Sequence, residues 1–586
     1  MMNTLEQELS LQAVNGVSEY PLSLGQDDVW LQCQLYPNSN VYKLAVELSV
    51  SGPLDFALFA QAFQDVVDRH DALRAVFHAA DDIPVQRILP SVTASLPVID
   101  LSGDLNAQTT GNRADVTIPR AQKLLGLPFD LTIGPLFRAE LLRFGANDHH
   151  FILTFHRLIM DGFHGAQFIE ELARTYLSHL RGTSLPQPLA LQYGDFAVWQ
   201  KRRMNTGIFE ASTEYWQRLF HEPLPETLVP TDHPVPAART FRSGSYVSTL
   251  DAPLCRSLRA LEKPCRTTLF RIVLTAFAIF VARLCGEEEI LLAVPFSTRP
   301  REMAGALGFF SNVVPLRLDL RGNPSFRKFL LQINTQLRHA AEHKEFALAD
   351  VLQNSKTQRP QGRPVFPVAV SQVGSWELKA EGLHMTSAGA FSMGMMHDLC
   401  LAMAERGELF DLYYVYSSEI FERNKVIRWT ESVRSLLEEV AARPDAPLSH
   451  LESLAEVFTP AKPKREVVLQ PVPRTGNLAR PSTELERRLV AIWQETLDCK
   501  EIGIDDDLFE RGAHSLMMAK VHRKLSALLA SASVGIQDRP PIKLSLRAIF
   551  DNPTIRNLAT LLAPWFPEQD LSQEDQEAKA EAVLTV

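Results

Sequence analysis

One stretch of sequence decides the fold: Phe151-Ile-Leu-Thr-Phe-His156-Arg157-Leu-Ile-Met-Asp161-Gly162-Phe-His164-Gly165. Residues 151–155 are apolar and aromatic with one small polar residue, which predicts a buried strand. The apolar residues of 166–180 recur at helical spacing, which predicts a helix. Ionisable residues lie between the two, and α/β proteins place their chemistry at the carboxyl end of a strand. The stretch therefore predicts a functional site, against the ordinary alternative of a core histidine with satisfied hydrogen bonds.

The segment from His156 to Gly162 resembles the HHxxxDG motif of condensation domains in nonribosomal peptide synthetases. Other motifs of that family are matched in order and spacing: Ser23-Leu-Gly-Gln26-Asp-Asp-Val-Trp30, Arg69-His70-Asp-Ala-Leu73-Arg74-Ala-Val-Phe77, Tyr193-Gly-Asp195-Phe196-Ala-Val-Trp199, Pro295-Phe-Ser-Thr-Arg299-Pro300 and Gly308-Phe-Phe-Ser-Asn312-Val-Val. The resemblance implies an α/β fold with two similar lobes of the chloramphenicol-acetyltransferase type. It also implies a tunnel between the lobes, with the motif at its middle.

The sequence departs from the family at Arg157, which stands where the family has its second, catalytic histidine. A histidine can gain or lose a proton near neutral pH. A guanidinium stays protonated and has no acceptor atom. Arg157 therefore cannot be a general base, although it can donate hydrogen bonds to an oxyanion or pair with Asp161 and close the site. His156 and His164 flank it as possible substitutes.

The resemblance assigns the catalytic motif to four residues: His156, Arg157, Asp161 and Gly162. In the family's pattern the first histidine, here His156, is usually structural. Arg299 matches the arginine that pairs with the motif aspartate, so we expect an ion pair between Asp161 and Arg299 that fixes the geometry of the loop. Asn312 is expected to support the site from the second lobe.

The composition is that of a globular protein, with 46% hydrophobic and 22% charged residues. The net charge of −10 argues against a nucleic-acid partner. The six cysteines show no CxxC pair and no metal-ligand spacing, which suits a reducing cytoplasm and predicts no metal. The apolar run 272–282 is too short to span a bilayer, so we expect a buried core helix and no membrane partner.

Other elements of the large region follow from apolar spacing. They are a strand at 44–50, a helix at 55–70, helices near 196–203 and 214–220, a strand at 246–250, a helix at 267–284 and a strand at 290–295. Residues 136–143 and 151–155 predict a hairpin. Its loop is expected at 145–150, with His149 and His150 solvated within it.

A second family resemblance begins after a proline-rich stretch. Asp505-Asp-Asp-Leu-Phe509-Glu-Arg-Gly512-Ala-His514-Ser515-Leu516 resembles the DxFFxxGGHSL motif of peptidyl carrier domains, with Ala513 in place of the second glycine. The resemblance implies a small four-helix domain whose Ser515, flanked by His514 and Leu516, carries 4′-phosphopantetheine. Ser515 opens a helix with apolar residues at 518, 521 and 525, and the positive end of a helix dipole suits a phosphodiester.

The predicted organisation is a first lobe at 1–182, a second lobe at 183–456, a proline-rich linker at 457–482, a carrier domain at 483–566 and an acidic tail at 567–586. The sequence contains no Walker loop, no adenylation-type loop and no GxSxG elbow. Activation and release are therefore expected to come from partners: a phosphopantetheinyl transferase, a separate adenylation or loading enzyme, an upstream donor carrier protein and a downstream releasing or tailoring enzyme.

Three hypotheses remain open at this stage. The first is an enzyme that joins a carrier-bound acyl or aminoacyl thioester to an amine, forming an amide or ester bond. Its Asn312-Val-Val-Pro-Leu-Arg317 stretch looks similar to that of starter-type domains. The second is a non-catalytic condensation-like domain that recruits partner enzymes to the substrate on its carrier, since HRxxxDG resembles the HRxxxD pattern of glycopeptide recruitment domains. The third is a scaffold that merely positions Ser515.

Overall fold

The computed structural model describes most of the large region and part of the carrier region. The described residues are 10–37, 39–80, 83–103, 113–204, 206–220, 224–236, 239–346, 364–392, 394–454, 479–497, 501–508, short stretches between 521 and 549, and 551–566. The chain divides into two compact units, Met1–Arg465 and Glu466–Val586. The linker core and the acidic tail that the sequence predicts lie outside the described residues.

The strands are β1 (Glu19–Pro21), β2 (Lys43–Ser51), β3 (Ala75–Ala80), β4 (Ile83–Ile88), β5 (Val98–Asp100), β6 (Phe137–Gly145), β7 (Asp148–His156), β8 (Ser243–Leu250), β9 (Glu289–Ser297), β10 (Ser311–Asp319), β11 (Val368–Gln372), β12 (Glu377–Ala380), β13 (Leu383–Phe391), β14 (Leu399–Arg406) and β15 (Leu409–Ser417). The predicted strands at 44–50, 151–155, 246–250 and 290–295 are confirmed.

The α-helices are α1 (Leu24–Leu35), α2 (Phe56–Arg69), α3 (Ala114–Gly126), α4 (Gly162–Arg181), α5 (Tyr193–Met204), α6 (Glu210–Leu219), α7 (Ala252–Arg259), α8 (Glu262–Cys265), α9 (Leu269–Cys285), α10 (Phe326–Glu342), α11 (Arg423–Ala442), α12 (Glu484–Leu497) and α13 (Ile555–Leu562). Each helix of the large region that apolar spacing predicts is confirmed within a few residues.

Helix α2 shows how local sequence sets an element. Asp55 caps its N-terminus by accepting hydrogen bonds from the backbone N–H groups of Ala57 and Leu58, at 2.9 and 3.0 Å. Phe59 and Phe63 recur at helical spacing and are fully buried. Their rings lie 5.6 and 5.5 Å from the aromatic ring at position 151 on β7. The helix therefore covers the strand that leads to the ionisable cluster.

Two six-stranded sheets and one three-stranded sheet make up the strands that the structure describes in the large unit. The first large sheet has the order β12-β13-β2-β7-β6-β5, the second has the order β10-β9-β11-β14-β15-β8, and the small sheet has the order β1-β4-β3. Helix α9 is buried along nearly its whole length in the same core as the second large sheet, which confirms the predicted core helix.

A search of the described residues finds no single helix that is both long and apolar enough to cross a membrane. Two consecutive helices, Ala252–Cys265 and Leu269–Cys285, are together long and apolar enough for a membrane span, but they are bent by 100° where they meet. The second member of this pair is the core helix α9, whose buried residues belong to the interior of the unit.

The first large sheet includes a hairpin from the second half of the chain. Strand β13 pairs antiparallel with β2, and β12 pairs with β13, so residues 377–391 extend a sheet built otherwise from residues 43–156. A crossing segment, Ser392 and residues 394–398, then returns the chain to the second large sheet at β14. The hydroxyl of Ser392 donates to the carbonyl of Lys43 at 3.0 Å. A hairpin from the second half of the chain is therefore part of the first large sheet.

The predicted loop at 145–150 is wrong. Strands β6 and β7 reach Gly145 and Asp148, which leaves a tight turn between them. His149 and His150 lie in β7 and are buried, rather than solvated. His150 contacts the carboxylate of Glu47 on β2 through Nδ1. A buried acidic partner on the neighbouring strand lets a histidine enter a sheet, and local sequence does not show that partner.

The close approach of Gly394 to the segment before β2 generates the first prediction. A Cβ atom at Gly394 would lie 2.7 Å from the backbone nitrogen of Val41 and 2.8 Å from the carbonyl carbon of Asn40. Backbone atoms cannot rotate away, so Gly394→Ala must displace the crossing segment. We expect it to lower the free energy of unfolding by about 1–3 kcal/mol, the usual cost of overpacking. Urea unfolding followed by tryptophan fluorescence measures the change.

Gly126 provides the control for this substitution. A Cβ atom there meets no neighbour within 4 Å, and the residue ends helix α3. Gly126→Ala should leave the stability unchanged or raise it by about 0.5–1 kcal/mol, because alanine loses less conformational freedom on folding. Equal unfolding midpoints for the two variants would contradict the close approach at Gly394.

Candidate active site

The site forms where β7 ends and α4 begins. His156 is the last residue of β7, and Asp161 is the N-cap of α4. The carboxylate Oδ1 of Asp161 accepts hydrogen bonds from the backbone N–H groups of Phe163 and His164, at 3.0 and 3.2 Å. A short acceptor at this position satisfies N–H groups that have no partner within the helix. The predicted strand, ionisable turn and helix are therefore confirmed.

Asp161 also connects two halves of the large unit: the first half contains β7 and α4, and the second half contains β9 and β10. Its Oδ2 accepts hydrogen bonds from the backbone N–H of Phe310 at 3.0 Å and from the hydroxyl of Ser311 at 2.9 Å. Its own backbone N–H donates to the carbonyl of Gly308 at 3.2 Å. Both carboxylate oxygens are thus used, one within the first half and one across to the loop 307–311.

The environment keeps Asp161 ionised although it has no exposed surface. Burial alone raises the pKa of a carboxyl group. The interaction with His164, whose Nδ1 lies 2.6 Å from Oδ1, opposes that effect, together with hydrogen bonds from Ser311 and the His164 backbone. The result is a pKa below the ordinary carboxyl value. The carboxylate is therefore a fixed negative charge held by hydrogen bonds.

The predicted ion pair between Asp161 and Arg299 is wrong. The guanidinium of Arg299 donates instead to the side-chain oxygen of Gln167 and, at 3.4 Å, to the carbonyl of Ala306. Burial lowers the pKa of Arg299, and the charge of Asp161 raises it only in part. Other donors, from the first turn of α4 and from the loop 307–311, already fill the positions around Asp161. Arg299 therefore connects Gln167 of α4 to Ala306, the residue before the loop 307–311.

His156 is held so that it cannot exchange a proton readily. Its Nδ1 accepts a hydrogen bond from the backbone N–H of Leu158 at 3.2 Å, so Nε2 carries the proton of the neutral ring. Nε2 faces the sulfur of Cys33 at 3.6 Å. Burial, together with the charges of Lys43 and Arg157, lowers the pKa of His156 to about 3. The first motif histidine is thus a neutral, buried residue with its lone pair in use.

Arg157 does not pair with Asp161. Its backbone N–H donates to the carbonyl of Tyr42 at 2.7 Å, and its guanidinium carbon lies 5.8 Å from the centre of the Phe309 ring. Its Nε is buried and has no hydrogen-bond partner among the described residues. Burial lowers the pKa of His397 most, and the charge of Arg157 lowers it further, so the guanidinium acts on the crossing segment.

Gly162 and Asn312 differ in what they contribute. Gly162 is the first residue of α4, and a Cβ atom there would be 3.8 Å from Leu44, so packing alone does not require glycine. Asn312 donates from Nδ2 to the carbonyls of Lys344 at 2.8 Å and Phe346 at 3.1 Å. It fastens the start of β10 to the segment after α10.

Residues from several matched motifs contact the loop 307–311. The hydroxyl of Tyr193 donates to the carbonyl of Phe309 at 2.6 Å, and the hydroxyl of Ser23 lies 2.7 Å from the same hydroxyl. A Cβ atom at Gly308 would be 2.0 Å from the ring of Tyr193, so only glycine fits there. The motifs quoted from the sequence thus meet around one loop. That this loop also donates to the buried carboxylate was not foreseen from the sequence.

His397 was not identified from the sequence as a candidate functional residue. It lies in the crossing segment, just before β14, and no motif marks it. Its Nδ1 lies 2.7 Å from the carbonyl oxygen of Phe366, which is 31 residues away in the chain. The parallel pairing of β11 with β14 brings the two residues together.

The described part of the second unit is a small helical core. Thr483 and Glu486 form a capping box at the start of α12, with hydrogen bonds of 3.1 Å in both directions. Arg556 pairs with Asp505 at 2.5 Å. Fully or nearly buried apolar residues line the interior: Leu489, Trp493, Ile504, Val521, Leu525, Leu529, Ile549, Ile555 and Leu558.

The residues that carry the attachment motif, His514, Ser515 and Leu516, lie outside the described residues. Residues 521–522, 524–525 and 528–529 are helical, and the apolar residues at 521, 525 and 529 share the buried face. These helical residues are therefore held in the interior of the second unit.

Metal binding finds no support in the part of the chain that the structure describes. No three His, Cys, Asp or Glu side chains of those residues meet in a way that could hold a metal ion.

Comparisons with known proteins agree with both resemblances. The Condensation domain family matches residues 17–460, and the Phosphopantetheine attachment site family matches residues 487–562. Tyrocidine synthase 3 of Brevibacillus parabrevis is 30% identical over 461 residues, which are 78% of this chain and 7% of that protein.

Solved structures share the fold of the large unit. One is the complex of the X-domain and OxyB from teicoplanin biosynthesis, at 22% identity and a TM-score of 0.63, over 76% of this chain and 98% of that one. Another is the first condensation domain of the calcium-dependent antibiotic synthetase with a substrate analogue. It shares 20% identity at a TM-score of 0.66, over 75% of this chain and 99% of that one. At these identities the likeness establishes the fold alone.

The chain therefore belongs to the condensation domain family, and a phosphopantetheine attachment domain follows the condensation domain. It is a condensation–carrier didomain of the nonribosomal peptide synthetase kind. The family is acyltransferase-like, and the carrier region is a site of covalent phosphopantetheine attachment on a serine. The chain spans about a tenth of the length of the curated relatives that it matches.

The role of Asp161 generates the second prediction. Asp161→Ala would leave the donors of His164, Phe310 and Ser311 without an acceptor in the interior. We expect it to lower the free energy of unfolding by about 3–5 kcal/mol at neutral pH. Because the folded-state pKa is lowered, this stabilisation is complete above the ordinary value of 3.8 and is lost as the pH falls through the folded-state pKa. Urea unfolding at several pH values measures both effects.

Ser311→Ala is the matched control, since it removes one donor and leaves the carboxylate in place. It should cost only about 0.5–1.5 kcal/mol. The difference in stability between the wild type and Asp161→Ala should shrink in acid, whereas the Ser311→Ala difference stays small throughout. An Asp161→Ala variant as stable as the Ser311→Ala variant at neutral pH would show that the carboxylate does not join the two halves.

Proposed function

We propose that this didomain forms an amide or ester bond between a carrier-bound acyl or aminoacyl thioester and an amine or similar nucleophile. The observation that carries the proposal is the position of Arg157. Its guanidinium is not used to neutralise Asp161, and its buried Nε has no partner within the described part of the chain. A buried donor without a partner is costly, so such a group suits a ligand that supplies the missing acceptor.

Arg157 fits the task of stabilising an oxyanion. When an amine attacks a thioester, negative charge develops on the carbonyl oxygen, and donors fixed in a water-poor site stabilise that charge. The guanidinium is permanently charged and presents its N–H groups in a rigid plane. The hydrogen bond from the Arg157 backbone to Tyr42 fixes where the side chain begins. Arg157 would therefore bind the oxygen without taking part in proton transfer.

His156, Asp161 and Gly162 act in this proposal as the frame of the site. Asp161 holds the turn against the loop 307–311, and His156 lies beside Arg157 as a neutral ring. Arg299 and Asn312 hold the loop and the start of β10 from the second half. Preorganisation of this kind contributes to rate because no rearrangement is needed during the reaction.

A second candidate function is recruitment of partner enzymes without catalysis. The observation that favours it is that neither motif residue can accept a proton, since Arg157 is a fixed cation and the lone pair of His156 is occupied. In its simplest form that function has Arg157 close the site by pairing with Asp161. The oxygens of Asp161 instead bind His164 and Ser311, which favours the enzyme over this form of recruitment.

Ser515 is the proposed attachment site of 4′-phosphopantetheine, with His514 and Leu516 beside it. A phosphopantetheinyl transferase would load it, and a separate adenylation or loading enzyme would charge the arm. An upstream carrier protein would present the donor, and a downstream releasing or tailoring enzyme would take the product. We place the didomain in the cytoplasm, where these partners and coenzyme A are available.

The third prediction tests the attachment site. Incubation with coenzyme A and a broad-specificity transferase should add one pantetheine arm to the wild type and none to Ser515→Ala, because no other serine carries the motif. Ser526→Ala, in the same region of the chain, should be modified like the wild type. Intact-protein mass spectrometry measures the added mass. An arm that persists in Ser515→Ala would refute the assignment.

The fourth prediction tests Arg157 with an upstream donor thioester and an amine supplied free or on the carrier arm. Arg157→Ala should lower kcat by about 10²–10³, the usual cost of losing one oxyanion donor. Arg423→Ala is the matched control, since Arg423 lies 5.5 Å from the ring of Tyr246 on the edge strand β8. It should keep wild-type turnover. Amide product is measured by liquid chromatography and mass spectrometry.

The wild type decides between the two candidate functions in the same assay. Robust turnover excludes the purely recruiting function. Background turnover with every donor tried, together with normal loading of Ser515, would refute the enzyme. An Arg157→Ala variant with full turnover would remove Arg157 from the reaction and leave the bond-forming activity in place.

A further inference from the structure

Bond formation between an amine and a thioester requires a group that takes a proton from the nitrogen, and the motif of this chain does not supply one. Building on the proposed function, we propose that His397 is that group and that it works opposite Arg157 across the junction of the two halves. His397 stands outside every motif that the sequence matches.

The crossing segment that carries His397 packs against the residues just before β2. Gly394 lies so close to Val41 that a Cβ atom there would be 2.7 Å from the Val41 backbone nitrogen. The residue after Val41 is Tyr42, whose carbonyl accepts the backbone hydrogen bond of Arg157. His397 follows Gly394 by three residues and is only partly buried. The segment that carries His397 thus runs beside the residue that anchors Arg157.

The hydrogen bond of His397 to the main chain fixes its tautomer. Nδ1 lies 2.7 Å from the carbonyl oxygen of Phe366, and a carbonyl oxygen can only accept, so Nδ1 carries the proton. In the neutral ring Nε2 therefore has the free lone pair. The carbonyl of Pro367 accepts from the backbone N–H groups of Asp398 and Leu399, at 2.8 and 3.0 Å, and holds the loop in place. The ring is oriented as a proton acceptor must be.

Charged groups around His397 favour its neutral form. Burial lowers the pKa of His397 most, and the charges of Arg157 and Arg239 lower it further. The carbonyl of Phe366 and the carboxylate of Asp398 act in the opposite direction but do not prevail. Asp398 is itself paired with Arg239 at 3.0 Å. At neutral pH the lone pair of Nε2 is therefore available, which a general base needs.

The step that follows conserves every atom. The nitrogen of the neutral amine attacks the thioester carbonyl carbon and forms the C–N bond, while Arg157 binds the oxygen on which charge develops. Nε2 of His397 takes a proton from that nitrogen. The C–S bond then breaks, and the proton passes from Nε2 to the leaving sulfur, which departs as a thiol. The carbonyl re-forms as the amide, and His397 returns to its neutral state.

His164 is another histidine near the motif, and its surroundings suit the role of general base less. Its Nδ1 contacts Asp161 at 2.6 Å, and its ring packs 5.2 Å from the ring of Phe310. Only 2% of the residue is exposed. It serves as a partner of the carboxylate that holds the two halves together, and a proton taken from a substrate would have to reach a ring that is enclosed.

His397→Asn tests the assignment, and it is the fifth prediction. The amide nitrogen of asparagine can still donate to the carbonyl of Phe366, but asparagine has no lone pair that titrates. We expect kcat to fall by about 10²–10⁴, the usual contribution of a general base, with little change in KM. In the wild type kcat should fall as the pH drops below the ordinary imidazole value of 6.5 and through the lowered pKa of His397. The variant should lack this acid limb.

His384→Asn is the matched control. His384 is partly exposed on β13 and bonds Glu377 at 2.8 Å, so its ring is engaged at the hairpin rather than in the crossing segment. The variant should keep the turnover and the pH profile of the wild type. His397→Ala with and without added imidazole provides a second test, and imidazole should restore part of the lost activity by supplying the missing acceptor.

The outcomes separate this inference from the proposed function. If the wild type forms product and His397→Asn keeps both the wild-type kcat and the acid limb, the role of His397 is overturned and the proposed function stands. His397→Ala that is equally slow with and without imidazole would do the same. No wild-type turnover with any donor would overturn the bond-forming function and this role together.

Discussion

Asp161 is a buried carboxylate whose two oxygens bind different halves of the molecule. Oδ1 accepts from the first turn of α4 and from the ring of His164, and Oδ2 accepts from Phe310 and Ser311. A buried charge is tolerated only when hydrogen bonds replace the lost water, and here those bonds come from both sides of the junction. One carboxylate therefore positions the turn after β7, the loop 307–311 and the start of β10.

This arrangement decides what the motif residues can do. The partners of Asp161 leave no place for a direct contact with Arg299 or Arg157, so both guanidinium groups are directed elsewhere. His156 uses its lone pair on the backbone of Leu158. The motif thus supplies a rigid frame and a cation. In the proposed function, proton transfer must therefore come from another part of the chain, and the inferred group is on the crossing segment, which packs beside the residue that anchors Arg157.

The charge of Arg157 affects the protonation of two nearby histidines. Burial lowers the pKa values of His156 and His397, and the permanent charge of Arg157 lowers both further. A histidine in that field stays neutral at physiological pH, which suits proton acceptance. The same charge suits an oxyanion. In the proposed function, Arg157 therefore supplies a stabilising donor and helps to keep the base on another segment neutral.

The sequence by itself determined the local elements, the two families and the turn after β7, because apolar spacing, N-cap residues and contiguous motifs act over short distances. It misplaced His149 and His150, since the burial of His150 depends on Glu47 of a neighbouring strand. It did not show that residues 377–391 join the first large sheet, nor that Gly394 packs against Val41, beside the residue that anchors the Arg157 backbone. Tertiary structure decided these points, since strand exchange and the filling of hydrogen-bond positions around a buried charge join residues far apart in the chain.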